Sequence, residues 1–135
     1  MHEPRVLLDG LGILESPRWY DGRLWFADWT AHHVVAVDLD GRAEVVLRDG
    51  PPHPFCFELL PDGRPLVVSS SAGALLRPEP GGALVRHVAL PAGQWNDIVV
   101  DGRGHAYVDE VGFDLMPVRA ADAIPIRSRT SFETP

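Results

Sequence analysis

At 135 residues the chain has the length of one ordinary domain and can bury a core of its own. An apolar share of 45% and a charged share of 23% are globular values that exclude a disordered chain, and the net charge of −7 argues against general affinity for nucleic acid or an anionic membrane surface. All 12 basic residues are Arg, and the single cysteine, Cys56, excludes an intrachain disulfide and a Cys-based zinc site.

The chain opens on "MHEPRVLLDGLG", which lacks the basic segment and long apolar stretch of a secretory signal. No apolar run approaches the length of a membrane-spanning helix. With one cysteine in a reducing compartment as the simplest fit, a soluble, cytoplasmic protein is expected.

"LESPRW" at 14–19 follows, then the first of three Asp-Gly-Arg tripeptides, at 21–23, 62–64 and 101–103. Each sits between apolar stretches: "DGRLWFAD", "DGRPLVVS", "DGRGHAYV". Asp-Gly suits a tight hairpin because both residues tolerate positive φ, the sense that matches strand twist. A fourth copy at 40–42 and Pro80-Gly81-Gly82 fall midway through the first and second units. The first unit therefore reads as strands at about 17–20, 24–28, 33–38 and 43–47, rich in Trp, Phe, Val and Leu and without helical periodicity. Four short antiparallel strands repeating about every 40 residues are the signature of β-propeller blades. The predicted fold is all-β, with roughly three blades over 1–116, an incomplete propeller. The segment 117–135, "PVRAADAIPIRSRTSFETP", has no Asp-Gly turn and no alternating strand, and is expected to be a poorly ordered, non-propeller tail.

Aligned on their Asp-Gly-Arg turns, Glu15 and Cys56 lie six residues before the turn Asp and Asn96 five before it. All three fall at the start of a blade's first strand, which in a propeller lines the central channel. A carboxylate and an amide carbonyl converging there are hard-cation ligands suited to Ca²⁺, Mg²⁺ or Mn²⁺. The alternative is that Asn96 in "WNDIVV" ties down the strand start through side-chain to backbone hydrogen bonds.

Other candidates carry less. His32 and His33 are adjacent, so on a strand they would point to opposite faces. His53, in "GPPHPF", belongs to an inter-blade connection that could overhang the channel mouth. Cys56 reads as a small buried filler. "SSSAG" at 69–73 holds no G-x-S-x-G elbow, which argues against a serine hydrolase. Trp19, Trp25, Trp29 and Trp95 are expected to pack between blades, and Asp109 and Glu110 to be solvated carboxylates at a strand end.

The ordered set "LGILESPRWYDGRLWFADW", "VVAVDLDGR", "LLPDGRPLVVS", "WNDIVVDGRGHAYV" and "VGFDL", over roughly residues 7 to 115, resembles the gluconolactonase-like superfamily, which includes regucalcin and luciferin-regenerating enzyme. The resemblance implies a six-bladed propeller about twice this length, with one divalent cation on its axis (Ca²⁺ first, then Mg²⁺, Mn²⁺ or Zn²⁺) that hydrolyses sugar lactones. It makes Glu15 a metal ligand from an "E-x-P-x-W" segment, and Asn96 a metal or substrate contact from an "N-D" segment. Gln94 stands where some members carry a substrate-holding Arg. The family's further Asn ligand and the Asp that serves as ligand and general base belong to later blades, and no segment of this chain matches them, so no catalytic residue is assigned. Two readings follow: a fragment of a metal-dependent lactone hydrolase with little activity alone, or a non-enzymatic module in which partial propellers pair through exposed blade edges.

Overall fold

A computed structural model describes residues 3–112 and 129–133. Among them there is no helix, and eleven strands form three antiparallel sheets. The first sheet contains β1 (Leu14–Tyr20), β2 (Arg23–Asp28), β3 (His33–Val37) and β4 (Ala43–Leu47), in that spatial order. The second contains β5 (Phe55–Leu59), β6 (Pro65–Ser69), β7 (Ala74–Pro78) and β8 (Leu84–Ala89), again in order. The third has β9 (Gln94–Val100) and β10 (His105–Val111), with β11 (Arg129–Glu133) against β10. These are the expected blades, the first two each a meander joined by short turns, and the sheets do not close into a ring.

The turns show why Asp-Gly recurs. Asp21 and Gly22 both have positive φ, 49° and 72°, giving a two-residue turn between the paired Tyr20 and Arg23. In the third copy the left-handed residue is Gly104 (φ 86°), and the hairpin closes as Asp101 N–H donates to the His105 carbonyl. The same tripeptide thus serves two loop lengths.

The core lies between blades. Trp25 and Ala27 of the first sheet meet Phe55, Phe57, Leu59 and Val67 of the second. On the other side of the second sheet, Cys56, Leu66 and Val68 meet Trp95, Ile98, Ala106 and Val108. Because β5 is covered on both sides, its sequence "FCFEL" is almost continuously apolar and does not alternate. Phe55 and Phe57 are fully buried, each worth about 1.5–3 kcal/mol by transfer from water. Leu8 and Leu11 lie against Phe26, Val35 and Val37, covering part of the outer face of the first blade.

Three details differ from expectation. The first strand begins at Leu14, three residues earlier than predicted, because Leu14 and Glu15 pair with Asp28 and Ala27 ahead of a register shift at Ser16-Pro17. Trp25 and Trp95 are buried between blades, but Trp19 is 59% exposed, since its cross-strand partner Leu24 is on the outer face of the first blade. The segment expected to be a strandless tail includes Arg129–Glu133, which is a strand in register with His105–Asp109. The boundary drawn at 116/117 lies outside the described residues.

Candidate functional site

The three innermost strands, β1, β5 and β9, run side by side and start at the same end of the blades. Opposite Ala27 in β2 stands Glu15, opposite Val68 in β6 stands Cys56, and opposite Asp109 in β10 stand both Asn96 and Asp97. The one-residue offset in the turn alignment coincides with a β-bulge in β9. A second bulge places Ser16 and Pro17 opposite Phe26, and Ser16 holds φ at 54° there. β5 has no such irregularity.

Those local differences decide where side chains go. Glu15 is exposed, Asn96 and Gln94 are half-buried, and Cys56 is 2% exposed. The buried Ser16 hydroxyl accepts the Phe57 N–H at 3.2 Å, tying the first bulge to the second blade. Burial pushes the Cys56 thiol up to about 11, opposed by a bond to Ser16 and reinforced by the negative charges of Asp97 and Glu15. β5 contacts both β1 and β9, so the first and third inner strands flank the second.

The strongest polar feature here went unassigned in the sequence. The Arg18 guanidinium donates from Nε to Glu58 Oε2 at 2.8 Å, and from Nη2 to Asp97 Oδ1 and to the Ile98 carbonyl, both at 3.2 Å. Asp97 N–H in turn donates to Asp109 Oδ1 at 2.5 Å. Arg18 and Glu58 side chains are only 21% and 16% exposed, so this pair is poorly screened. A sequence signal existed: aligned on the turns, Arg18 lies three residues before Asp21, and Glu58 and Asp97 four before Asp62 and Asp101. A groove of about 780 Å³ runs along these residues, with Tyr107, Val99 and Asp109 completing its wall.

The remaining candidates resolve as structural contacts. Ser69 Oγ accepts the Ala72 N–H and Ser70 Oγ donates to the Trp95 carbonyl, so the serine run serves loop geometry. His53 stacks on Trp29 at 6.1 Å between ring centroids, and His32 lies 6.4 Å from His53 with Nδ1 against the Pro51 carbonyl. His33 is the first residue of β3. Asp109, expected to be solvated, is engaged by the β9 bulge.

For a cation, Glu15 and Asn96 offer a carboxylate and an amide oxygen, the donor types a hard divalent ion takes. Among the described residues no group of three or more His, Cys, Asp or Glu is placed to hold a metal ion. Two oxygen donors are fewer than the six to eight that Ca²⁺ takes.

No protein-family profile matches the chain, and no curated protein matches it. Solved structures do. A gluconolactonase from Xanthomonas campestris, described as important in glucose secondary metabolic pathways, superposes with a TM-score of 0.64 at 21% identity, over 79% of this chain and 38% of that one. A second structure, a candidate gluconolactonase, gives 0.59 at 21% identity, over 95% and 47%. A virginiamycin B lyase from Staphylococcus aureus gives 0.56 at 14% identity, over 90% and 41%. The shared feature is the β-propeller fold, and the chain spans less than half the length of each of these proteins. No helix among the described residues is long and apolar enough to cross a membrane.

Proposed function

We propose that this chain supplies three blades of a divalent-metal-dependent sugar-lactone hydrolase, with Glu15 and Asn96 as its share of the ligands for an axial cation and Gln94 beside them toward substrate. The observation that carries this reading is the register of the three inner strands. Glu15 and Asn96 occupy equivalent positions on the first and third, each at a bulge that leaves its side chain out of the core. Their match to the "E-x-P-x-W" and "N-D" segments supports it from the sequence. Held by Glu15 and Asn96, a divalent cation would supply Lewis-acid polarisation of a lactone carbonyl and a lowered pKa for bound water. What this chain does is narrower: Glu15 and Asn96 offer oxygens, and Arg18 with Asp109 hold the strand that carries Asn96. The general base is assigned to no residue of this chain.

Calorimetric titration with Ca²⁺ and a gluconolactone hydrolysis assay test the reading. The chain alone is expected to bind Ca²⁺ no more tightly than about 1 mM, the weak end of protein sites with few charged ligands, and to show little turnover. Micromolar affinity, or efficient gluconolactone hydrolysis by this chain alone, would overturn it.

One observation favours a second reading, a non-enzymatic module that pairs. Val99 (55% exposed) and Tyr107 (38%) face each other across β9 and β10, on the side turned away from the second blade. An exposed apolar pair on a blade flank suits a second copy as occupant. A monomer by size-exclusion chromatography with light scattering counts against pairing, and a dimer dispersed by Tyr107→Glu supports it.

A further inference from the structure

Glu15 and Asn96 belong to different blades, and each sits in or beside a bulge, the kind of backbone irregularity that can slip or flatten unless something holds it. One side chain touches both. Arg18, the residue at which β1 regains register after its bulge, donates from Nη1 to the Pro17 carbonyl inside that bulge, at 3.1 Å. Its Nη2 reaches the other bulge, binding Asp97 Oδ1 and the Ile98 carbonyl at 3.2 Å each. Between them, Nε is anchored on Glu58 of the intervening strand at 2.8 Å.

The β9 bulge is held from two directions, by Arg18 and by Asp109. Asp97 spends one oxygen on the Ile98 N–H (2.8 Å) and on Arg18, while its own N–H is fixed by Asp109. Asn96 precedes this braced residue directly. A planar guanidinium can satisfy three directions at once, which a lysine ammonium on a flexible stem does not reproduce.

We infer that Arg18 is a positioning residue that couples the two bulges, setting the backbone from which Glu15 and Asn96 offer their oxygens. The inference rests on the cation reading above for its functional meaning, but the coupling itself is independent of any ion. Arg18 touches neither donor side chain; it acts through Pro17, Asp97 and Ile98.

The test compares Arg18→Lys and Arg18→Met with the unsubstituted chain, by amide hydrogen exchange and by Mn²⁺-induced NMR line broadening. Amides of Asp97 and Ile98 are expected to exchange about tenfold faster in both variants, as local opening does when its brace is lost, while Val67 and Leu75 in the second blade keep their rates. Arg18→Lys retains a cation beside Glu58 and serves if Arg18→Met does not fold. Mn²⁺ is expected to broaden Glu15 and Asn96 resonances over one concentration range in the unsubstituted chain, and over separate ranges in the variants. Unchanged exchange at Asp97 and Ile98, or an equal rise at Val67 and Leu75, overturns the positioning role. If Mn²⁺ broadens neither residue in the unsubstituted chain, the cation reading falls, and the exchange rates alone decide the role of Arg18.

Discussion

The starts of β1 and β9 differ from that of β5, although the three strands hold equivalent places in their blades. β5 pairs with β6 without interruption, and its residues Phe55, Cys56 and Phe57 are all buried. β1 and β9 each carry one extra residue opposite their partner, at Ser16-Pro17 and Asn96-Asp97, and there Ser16 and Asp97 bond across blades while Pro17 is exposed and Asn96 half-buried. A regular ladder between two flanking sheets leaves most side chains facing apolar neighbours, so it selects hydrophobes on both faces, with Glu58 of β5 kept by its bond to Arg18. A bulge breaks that alternation and re-aims one residue, which lets a carboxylate or amide stand in an otherwise packed position. In this fold the bulge, more than the repeat, separates a structural position from one available for chemistry.

Moving a carboxylate from the bulged to the regular strand is the strongest way to break the contrast. Cys56→Glu would bury a charge at a position 2% exposed, near the negative charges of Asp97 and Glu15. A loss of at least about 3 kcal/mol is expected, enough to unfold a marginal domain, and urea denaturation measures it. Stability within about 0.5 kcal/mol of the unsubstituted chain would show that β5 tolerates what only the bulged strands are argued to accept.

Ser16→Ala removes the hydroxyl that joins the first bulge to the regular strand and leaves the buried Phe57 N–H without its acceptor. About 1–2 kcal/mol should be lost in the same urea experiment. Ser16→Gly, which relieves the positive φ, is expected to lose less than Ser16→Ala.

The far ends of the blades offer a pH-dependent comparison. Partial burial of Asp101 works to raise its pKa, but the His105 backbone and ring and the Arg103 N–H bind the carboxylate and bring it from 3.8 down to about 2. Because the folded pKa lies below the unfolded one, this stabilisation is complete above about pH 4 and disappears as pH falls through 2. The Asp101 carboxyl resonance followed by NMR should titrate near 2 in the folded chain. A midpoint near 4 would show that the third hairpin lacks this side-chain brace.

Glu15→Gln is expected to have the smallest effect, within about 0.5 kcal/mol by urea denaturation, since the carboxylate is exposed and contributes no packing. Set beside Cys56→Glu, it measures how much one extra backbone residue changes the cost of a charge at the same register.

Much of the architecture is already determined by local chemistry. Asp-Gly turns at 21–22 and 62–63, with apolar runs between them, specify short antiparallel strands and their order, because hairpin geometry depends on residues adjacent in the chain. Counting back from those turns places Glu15, Cys56 and Asn96 near the start of each blade's first strand, and they are the second residues of β1 and β5 and the third of β9. The bulges were not legible in the same way. "LESPRW" reads as a break before a strand because Pro and a positive-φ Ser interrupt regular pairing, yet Leu14 and Glu15 pair on the far side of it. Whether an interruption ends a strand or bends it depends on whether the partner strand continues past it, as β2 does through Ala27 and Asp28.

The bridging of blades by Arg18 was also decided at the tertiary level. Its partners Glu58 and Asp97 lie 40 and 79 residues away, and nothing local to any of the three dictates the pairing. Stacking β1, β5 and β9 brings them within reach, and the partial burial of Arg18 and Glu58 then makes their charges costly unless they meet. By itself the sequence determined the blades, their turns and the shared register of the inner strands, since those depend on period and turn chemistry. Which side chains that register buries, exposes or joins was settled only when the sheets packed, because burial and charge pairing are properties of neighbours distant in the chain.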